Sequence, residues 1–248
     1  WLNWRRTHAA LLAPGDVLRT ELDLPLLPMR FSAEALELGA MRFEDVRADL
    51  NRGTGGVWRI GLEAAGNSAS VRLPAGDTQP VRVRLDTLDV APLLAVRQKR
   101  TRPVGAGPDP RRLPPLSLQI EALRRGSDEL GRLRLELART VDGLAARDLS
   151  LTGPLVTANG NGRWTRDATG YTETAIDIDL RSEDLGELLR QAGYYSAMTG
   201  APSRADLALT WPGGPEQFQL ERARGSLALD IAAGRLLPRG RGARGGSH

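Results

Sequence analysis

The chain has 248 residues, enough for one large β-domain or two ordinary ones, and its 41% hydrophobic content is sufficient to bury a core, which excludes disorder throughout. It carries no cysteine, so disulfide and thiolate chemistry are excluded, and no run approaches the roughly 18 to 20 apolar residues needed to span a bilayer. The net charge of +4 is that of a basic protein, but residues 98–115 hold a net +4 and residues 234–248 another +4, which leaves the remainder at −4. Basic character therefore belongs to a linker and a tail, and no nucleic-acid partner is expected for the folded part.

Taken in chain order, the first strand signal is Leu18 to Leu24. A block follows that returns later. Glu34-Ala35-Leu36 and Glu37-Leu38-Gly39-Ala40-Met41-Arg42-Phe43 recur as Glu121-Ala122-Leu123 and Glu129-Leu130-Gly131-Arg132-Leu133-Arg134-Leu135, with Arg124 to Asp128 inserted between the halves. Such self-similarity predicts units added to one sheet. Between Met41-Phe43 and Val46-Ala48-Leu50 the apolar phase slips by one residue, which predicts a bulge at Glu44-Asp45.

Alternating strands are then predicted at Trp58 to Ala64, Val81 to Leu85, Leu116 to Ile120, Leu133 to Leu137, Ile176 to Leu180, Leu207 to Trp211 and Leu227 to Ile231. Period two places their aliphatics on one face and Arg, Asp, Glu, Gln and Thr on the other, as in an antiparallel sheet with one solvated side. Hairpin turns are expected at Gly66-Asn67, Asn159 to Gly162 and Asp167 to Gly170. The organisation reads as a first β-unit over 1–97, a basic Pro/Gly-rich linker or loop over 98–115, a second β-unit over 116–237, and a disordered Arg/Gly tail over 238–248.

One helix is predicted near 183–192. Ser182 is its N-cap, Glu183 and Asp184 stand in the first turn, Leu185, Leu188, Leu189 and Ala192 fall at helical spacing, and Gly193 stops it. About ten residues are marginal alone, so its leucine stripe must dock, either as a cap on the sheet core or as a lid across an apolar trough. Trp211-Pro212-Gly213-Gly214-Pro215 reads as a rigid hairpin with a packed tryptophan at the sheet edge, and Trp164 as a second packed aromatic. Tyr194-Tyr195 reads as ordinary packing in preference to a lipid–water boundary.

Catalytic chemistry finds little to use. The two histidines, His8 and His248, lie at opposite ends, and Lys99 is the only lysine. No metal cluster, activated nucleophile, Schiff base or cofactor is expected, and the chain is not read as an enzyme. Asp177 and Asp179 share a strand face at about 7 Å, but alternating acids on a solvated face are commonplace. Gly240, Gly242 and Gly245 match a dinucleotide-binding pattern only as letters.

In order and spacing, several strings resemble the AsmA-like superfamily and most closely its YhdP branch: Leu113 to Leu118, Glu129 to Leu133, Gly162-Arg163-Trp164, Ser182 to Gly193, Leu207 to Pro215, and Gly225 to Leu227 through Gly234 to Leu237. The resemblance covers about residues 17–237. It implies a C-terminal-side piece of a periplasmic, bridge-like lipid-transport protein of the Gram-negative envelope, anchored in the inner membrane by a helix outside this chain. Since residue 1 is Trp and not Met, the chain reads as an excerpt, which leaves room upstream for the anchor that the resemblance implies.

The fold expected is mainly all-β: a long curved antiparallel meander sheet forming an open groove, with one short helix. Its partner would be phospholipid or another acyl lipid. The lining residues expected are Leu116, Leu118, Ile120, Leu133, Leu135, Leu137, Ile176, Ile178 and Leu180, with Leu185, Leu188 and Leu189 on the lid. Periodicity alone equally allows a structural or adhesive β-sandwich, in which a second sheet covers the same face.

Overall fold

The computed structural model describes residues 28–38, 41–65, 67–92, 108–191, 198–232 and 235–236. The expectations for Leu18 to Leu24, Tyr194-Tyr195 and the tail, and for residues 98–107 of the linker, lie outside the described residues. Among the described residues the strands are β1 (Met29–Leu38), β2 (Met41–Arg52), β3 (Trp58–Ala64), β4 (Asn67–Leu73), β5 (Val81–Asp89), β6 (Leu116–Arg125), β7 (Asp128–Arg139), β8 (Gly143–Thr152), β9 (Val156–Arg166), β10 (Thr172–Ser182), β11 (Met198–Thr199), β12 (Ser203–Pro212), β13 (Arg224–Ile231) and β14 (Arg235–Leu236), and the predicted helix is α1 (Leu185–Gln191).

Twelve of these strands form a single open sheet in the order β1-β2-β3-β4-β5-β6-β7-β8-β9-β10-β12-β13, and β11 and β14 make a separate two-residue ribbon. Each neighbour pair is antiparallel except β5 and β6, which run parallel from Val81 opposite Leu116 to Asp89 opposite Arg124. The meander is thus interrupted once, where the long connection ending in residues 108–115 carries the chain back to the same end of the sheet. Both repeated units belong to one continuous sheet. Among the described residues the only other sheet is that two-residue ribbon, too small to form the second layer of a sandwich.

Local chemistry explains the departures from the sequence reading. Pairing between β1 and β2 keeps constant register through the phase slip, and only the rung of Glu34 and Asp45 is missing. Asp45 has φ 52, so the strand turns over there without an extra residue, and the expected bulge is not one. True register shifts occur instead between Ile120 and Leu123 in β6 and between Ala146 and Leu149 in β8. Bulges bend the strands that carry them.

Asn159 to Gly162 is not a turn but the middle of β9. Its glycines serve close approach: a Cβ on Gly160 would lie 2.4 Å from the Asp177 carbonyl oxygen. Asp167 to Gly170 does turn the chain, with Asp167 accepting from the backbone of Thr169 and Tyr171 and Gly170 at φ 89. The repeated block falls on the β1–β2 and β6–β7 hairpins, yet Leu36 pairs with Phe43 whereas its counterpart Leu123 pairs with Gly131. The letters recur; the pairing does not.

The helix begins later than expected. Ser182 is still the last residue of β10, and its Oγ donates to the Leu155 carbonyl at 2.8 Å. Asp184 caps instead, accepting from the Glu187 and Gly200 amides at 3.0 Å each.

Candidate functional site: an uncovered aliphatic face

Register builds one face of the sheet rung by rung. Met29 stands opposite Leu50, Leu50 opposite Ile60, Ile60 opposite Val71, and Val71 opposite Val83. Across the parallel junction Val83 meets Leu118, which meets Leu135, then Leu149, Gly160, Ile178, Leu207 and Leu227. One rung therefore crosses every strand of the twelve without a polar side chain. The next rung in register does the same, from Phe31 through Ala48, Leu62, Ala69, Leu85, Ile120, Leu133, Leu151, Ala158, Leu180 and Ala205 to Leu229. The rung between them, on the opposite face, includes Arg30, Asp49, Arg84, Gln119, Arg134, Asp179 and Asp206.

Burial is incomplete on the aliphatic face. Every residue of the first rung from Met29 to Leu207 is half-buried, and Leu227 at the β13 edge is 60% exposed. In the second rung Ala48 and Ile120 are buried, at 0% and 1%. Among the described residues the sheet has the stripe of a core without a second sheet to seal it.

The two ends are packed. Call the foot the end where β5, β6, β8 and β10 begin. There Asp109 caps a 3₁₀ turn at Pro110–Arg112, and Pro110 is fully buried. Asp109 accepts from Arg111, whose guanidinium holds the carboxyl below the usual carboxylate range. Trp211 is also at the foot, 4% exposed, with its indole N–H donating to the Gly214 carbonyl at 3.0 Å and its ring edge-on to Phe218 at 5.0 Å. Trp211 pairs with Thr174 of β10, and the β12–β13 ladder stops one residue short of it at Thr210 opposite Arg224, so its row has no outer strand. Trp164 stands between Leu144 and Thr174 with its indole N–H buried and unpaired.

At the other end, the head, α1 buries Leu185 and leaves Leu188 and Leu189 half-buried. Arg125 at the end of β6 donates to the Gln191 carbonyl at 2.6 Å, tying the helix terminus back toward a strand four places away.

The residues singled out from the sequence fall on these rungs or on the neighbouring one of Leu116, Leu137 and Ile176. Ile120 is the exception in accessibility, because at 1% exposure it offers no surface to a ligand. Sequence reasoning left out of the lining Met29, Leu50, Ile60, Val71, Val83, Leu149, Gly160, Leu207 and Leu227, which complete the first rung. The same period-two alternation marks them, but only the register joins them to the others. Asp177 and Asp179 project from the polar face, where Asp179 stands opposite Asp206 and near Arg181 at 3.7 Å. Among the described residues no group of acids and histidines has the arrangement of a metal site, and no helix is long and apolar enough to cross a membrane.

Fold and face define the class: a many-stranded β protein whose described residues build one open twelve-stranded sheet with a half-buried aliphatic wall. A model of the YhdP protein family matches residues 1–244, and the chain belongs to that family. No curated protein and no solved structure matches it.

Proposed function

We propose that this chain is a segment of an envelope lipid-transport protein that offers its aliphatic sheet face to phospholipid acyl chains between inner and outer membrane. Membership of the YhdP family supports the reading. The observation that carries it is the aliphatic rung from Met29 to Leu227, half-buried as far as Leu207 and unbroken across the twelve strands of the sheet.

Such a surface needs no polar contact to hold a hydrocarbon chain. Covering it contributes about 25 cal/mol per Å², and each methylene removed from water about 0.8 kcal/mol. Strands about 4.8 Å apart give a path of roughly 50 Å along the sheet. An acyl chain reaches about 15 Å, half of a bilayer core. The track is thus several tails long, and a tail can pass from rung to rung while staying on apolar surface. Headgroups remain in water at the rim. The reading includes no chemical step and no cofactor, and places the segment in the periplasm with its inner-membrane anchor outside this chain.

Organic extraction of the chain purified from cell envelopes, followed by mass spectrometry, is expected to yield phospholipid near stoichiometric amounts. Leu135→Glu or Ile178→Glu, each introducing a charge in the middle of the rung, is expected to lose it with the β-sheet circular dichroism retained. A lipid-free wild-type protein sinks the proposal.

A further inference from the structure

At the foot, one row of the aliphatic face ends in charge. Leu133, Leu135 and Leu137 are followed on the same side of β7 by Arg139, which stands opposite the face residue Leu144. Arg139 donates Nη1 to Asp77 at 3.0 Å, and Nε and Nη2 to the Leu113 carbonyl at 3.3 and 3.1 Å. These bonds hold its guanidinium over the foot. Arg112, from the adjacent 3₁₀ turn, is exposed; its backbone amide donates to the Asp109 carbonyl at 3.0 Å, and its side chain has no hydrogen bond or ion pair among the described residues. Both line a cavity of about 300 Å³, together with Asp77 and the apolar Leu73, Val81 and Pro114.

We infer that this cavity is a subsite for the phosphate of an acyl lipid headgroup, an inference that rests on the acyl-chain reading above. Two guanidinium groups face one carboxylate, so the cavity carries surplus positive charge. Guanidinium is the side chain best matched to phosphate oxygens, which it binds in pairs. Leu73 and Val81 line the cavity and also point along the aliphatic face, so the apolar track runs directly into the charged foot. An amphiphile finds both of its chemistries in one line there.

The test uses the full chain and monomeric probes that share one oleoyl tail: lysophosphatidylglycerol, which carries the phosphate, and mono-oleoylglycerol, which does not. Wild type is expected to bind the phosphate probe about fivefold more tightly at low salt, the size expected for exposed charge pairs, with the difference shrinking as salt is raised. Arg112→Gln is expected to reduce that advantage to about twofold, and Arg112→Gln with Arg139→Gln to abolish it, while mono-oleoylglycerol binding is unchanged. Because Arg112 has no structural partner to lose, its single variant carries the test if the double variant unfolds.

Equal binding of the two probes by wild type, or an advantage that survives Arg112→Gln undiminished, overturns the subsite and leaves the acyl-chain reading intact. Failure of both probes to bind removes the acyl-chain reading, and the subsite with it. Inorganic phosphate binding as tightly as the lipid probe, and lost in Arg112→Gln, would make this a small-anion site and overturn the assignment to a lipid.

Discussion

Gly131 and Gly126 lie five residues apart around the β6–β7 hairpin, and both have positive φ, 122° and 62°. They differ in what surrounds them. A Cβ at Gly131 would fall 2.3 Å from the Thr152 carbonyl oxygen, whereas at Gly126 nothing lies within 4 Å. Gly126→Ala is expected to cost only the backbone term, about 1 kcal/mol, and Gly131→Ala about 3 kcal/mol, because β7 and β8 must separate as well. Urea denaturation of the two variants measures the difference. Asp184 gives a residue-scale prediction in pH. The amides of Glu187 and Gly200 hold its carboxyl below the ordinary range, so the charged form is favoured by the folded state. That stabilisation is complete above the unfolded value near 4 and disappears as pH falls through the depressed folded value. Asp184→Ala is expected to speed exchange of both amides about fivefold at pH 7, and wild type to approach the variant at pH 3 after correction for intrinsic rates.

At the scale of elements, the Trp211 corner is the most tightly specified part of the foot. Pro212 ends the ladder, Gly213 turns at φ 97, and the Gly213 carbonyl accepts from Thr174 at 2.8 Å. Trp211→Ala is expected to cost about 4 kcal/mol, since it empties a buried site, while Trp211→Phe keeps the ring contact with Phe218 and loses about 1 kcal/mol with the Gly214 hydrogen bond. Thermal denaturation followed by near-ultraviolet circular dichroism separates them. This corner was legible in the sequence, because a tryptophan before Pro-Gly-Gly-Pro has few other ways to pack. The start of α1 was not: Ser182 and Asp184 are both good caps, and only the pairing of Ser182 with Ser203 and Val156 keeps it in β10. Asn159 to Gly162 misled for a related reason. Its composition is that of a turn, but its glycines make room for Ile176 and Ile178 on the next strand.

For the whole molecule, an unsealed face has a thermodynamic signature. A ligand that covers it binds the folded chain and not the unfolded one, so stability must rise with ligand concentration. Dodecyl maltoside below its micellar concentration is expected to raise Tm by a few degrees, corresponding to about 1 to 3 kcal/mol at saturations of ten to one hundred times Kd. Leu135→Glu is expected to blunt that rise. Differential scanning calorimetry measures both, and a Tm indifferent to the detergent would show a face already covered.

Period-two alternation by itself determined that the chain is a sheet with one aliphatic side, since side chains on a strand have only two directions to point. Which strands are neighbours was decided only in three dimensions. The parallel pairing of β5 with β6 joins two meanders into one sheet, and it is this junction that brings Val83 beside Leu118 and makes the rung continuous. Hydrogen-bond register between distant segments leaves no mark in local sequence, because any alternating strand can pair with any other. The same holds for the face being open: the aliphatic stripe that lines a trough is identical, residue by residue, to one that lines a sandwich, and only the missing opposite layer tells them apart.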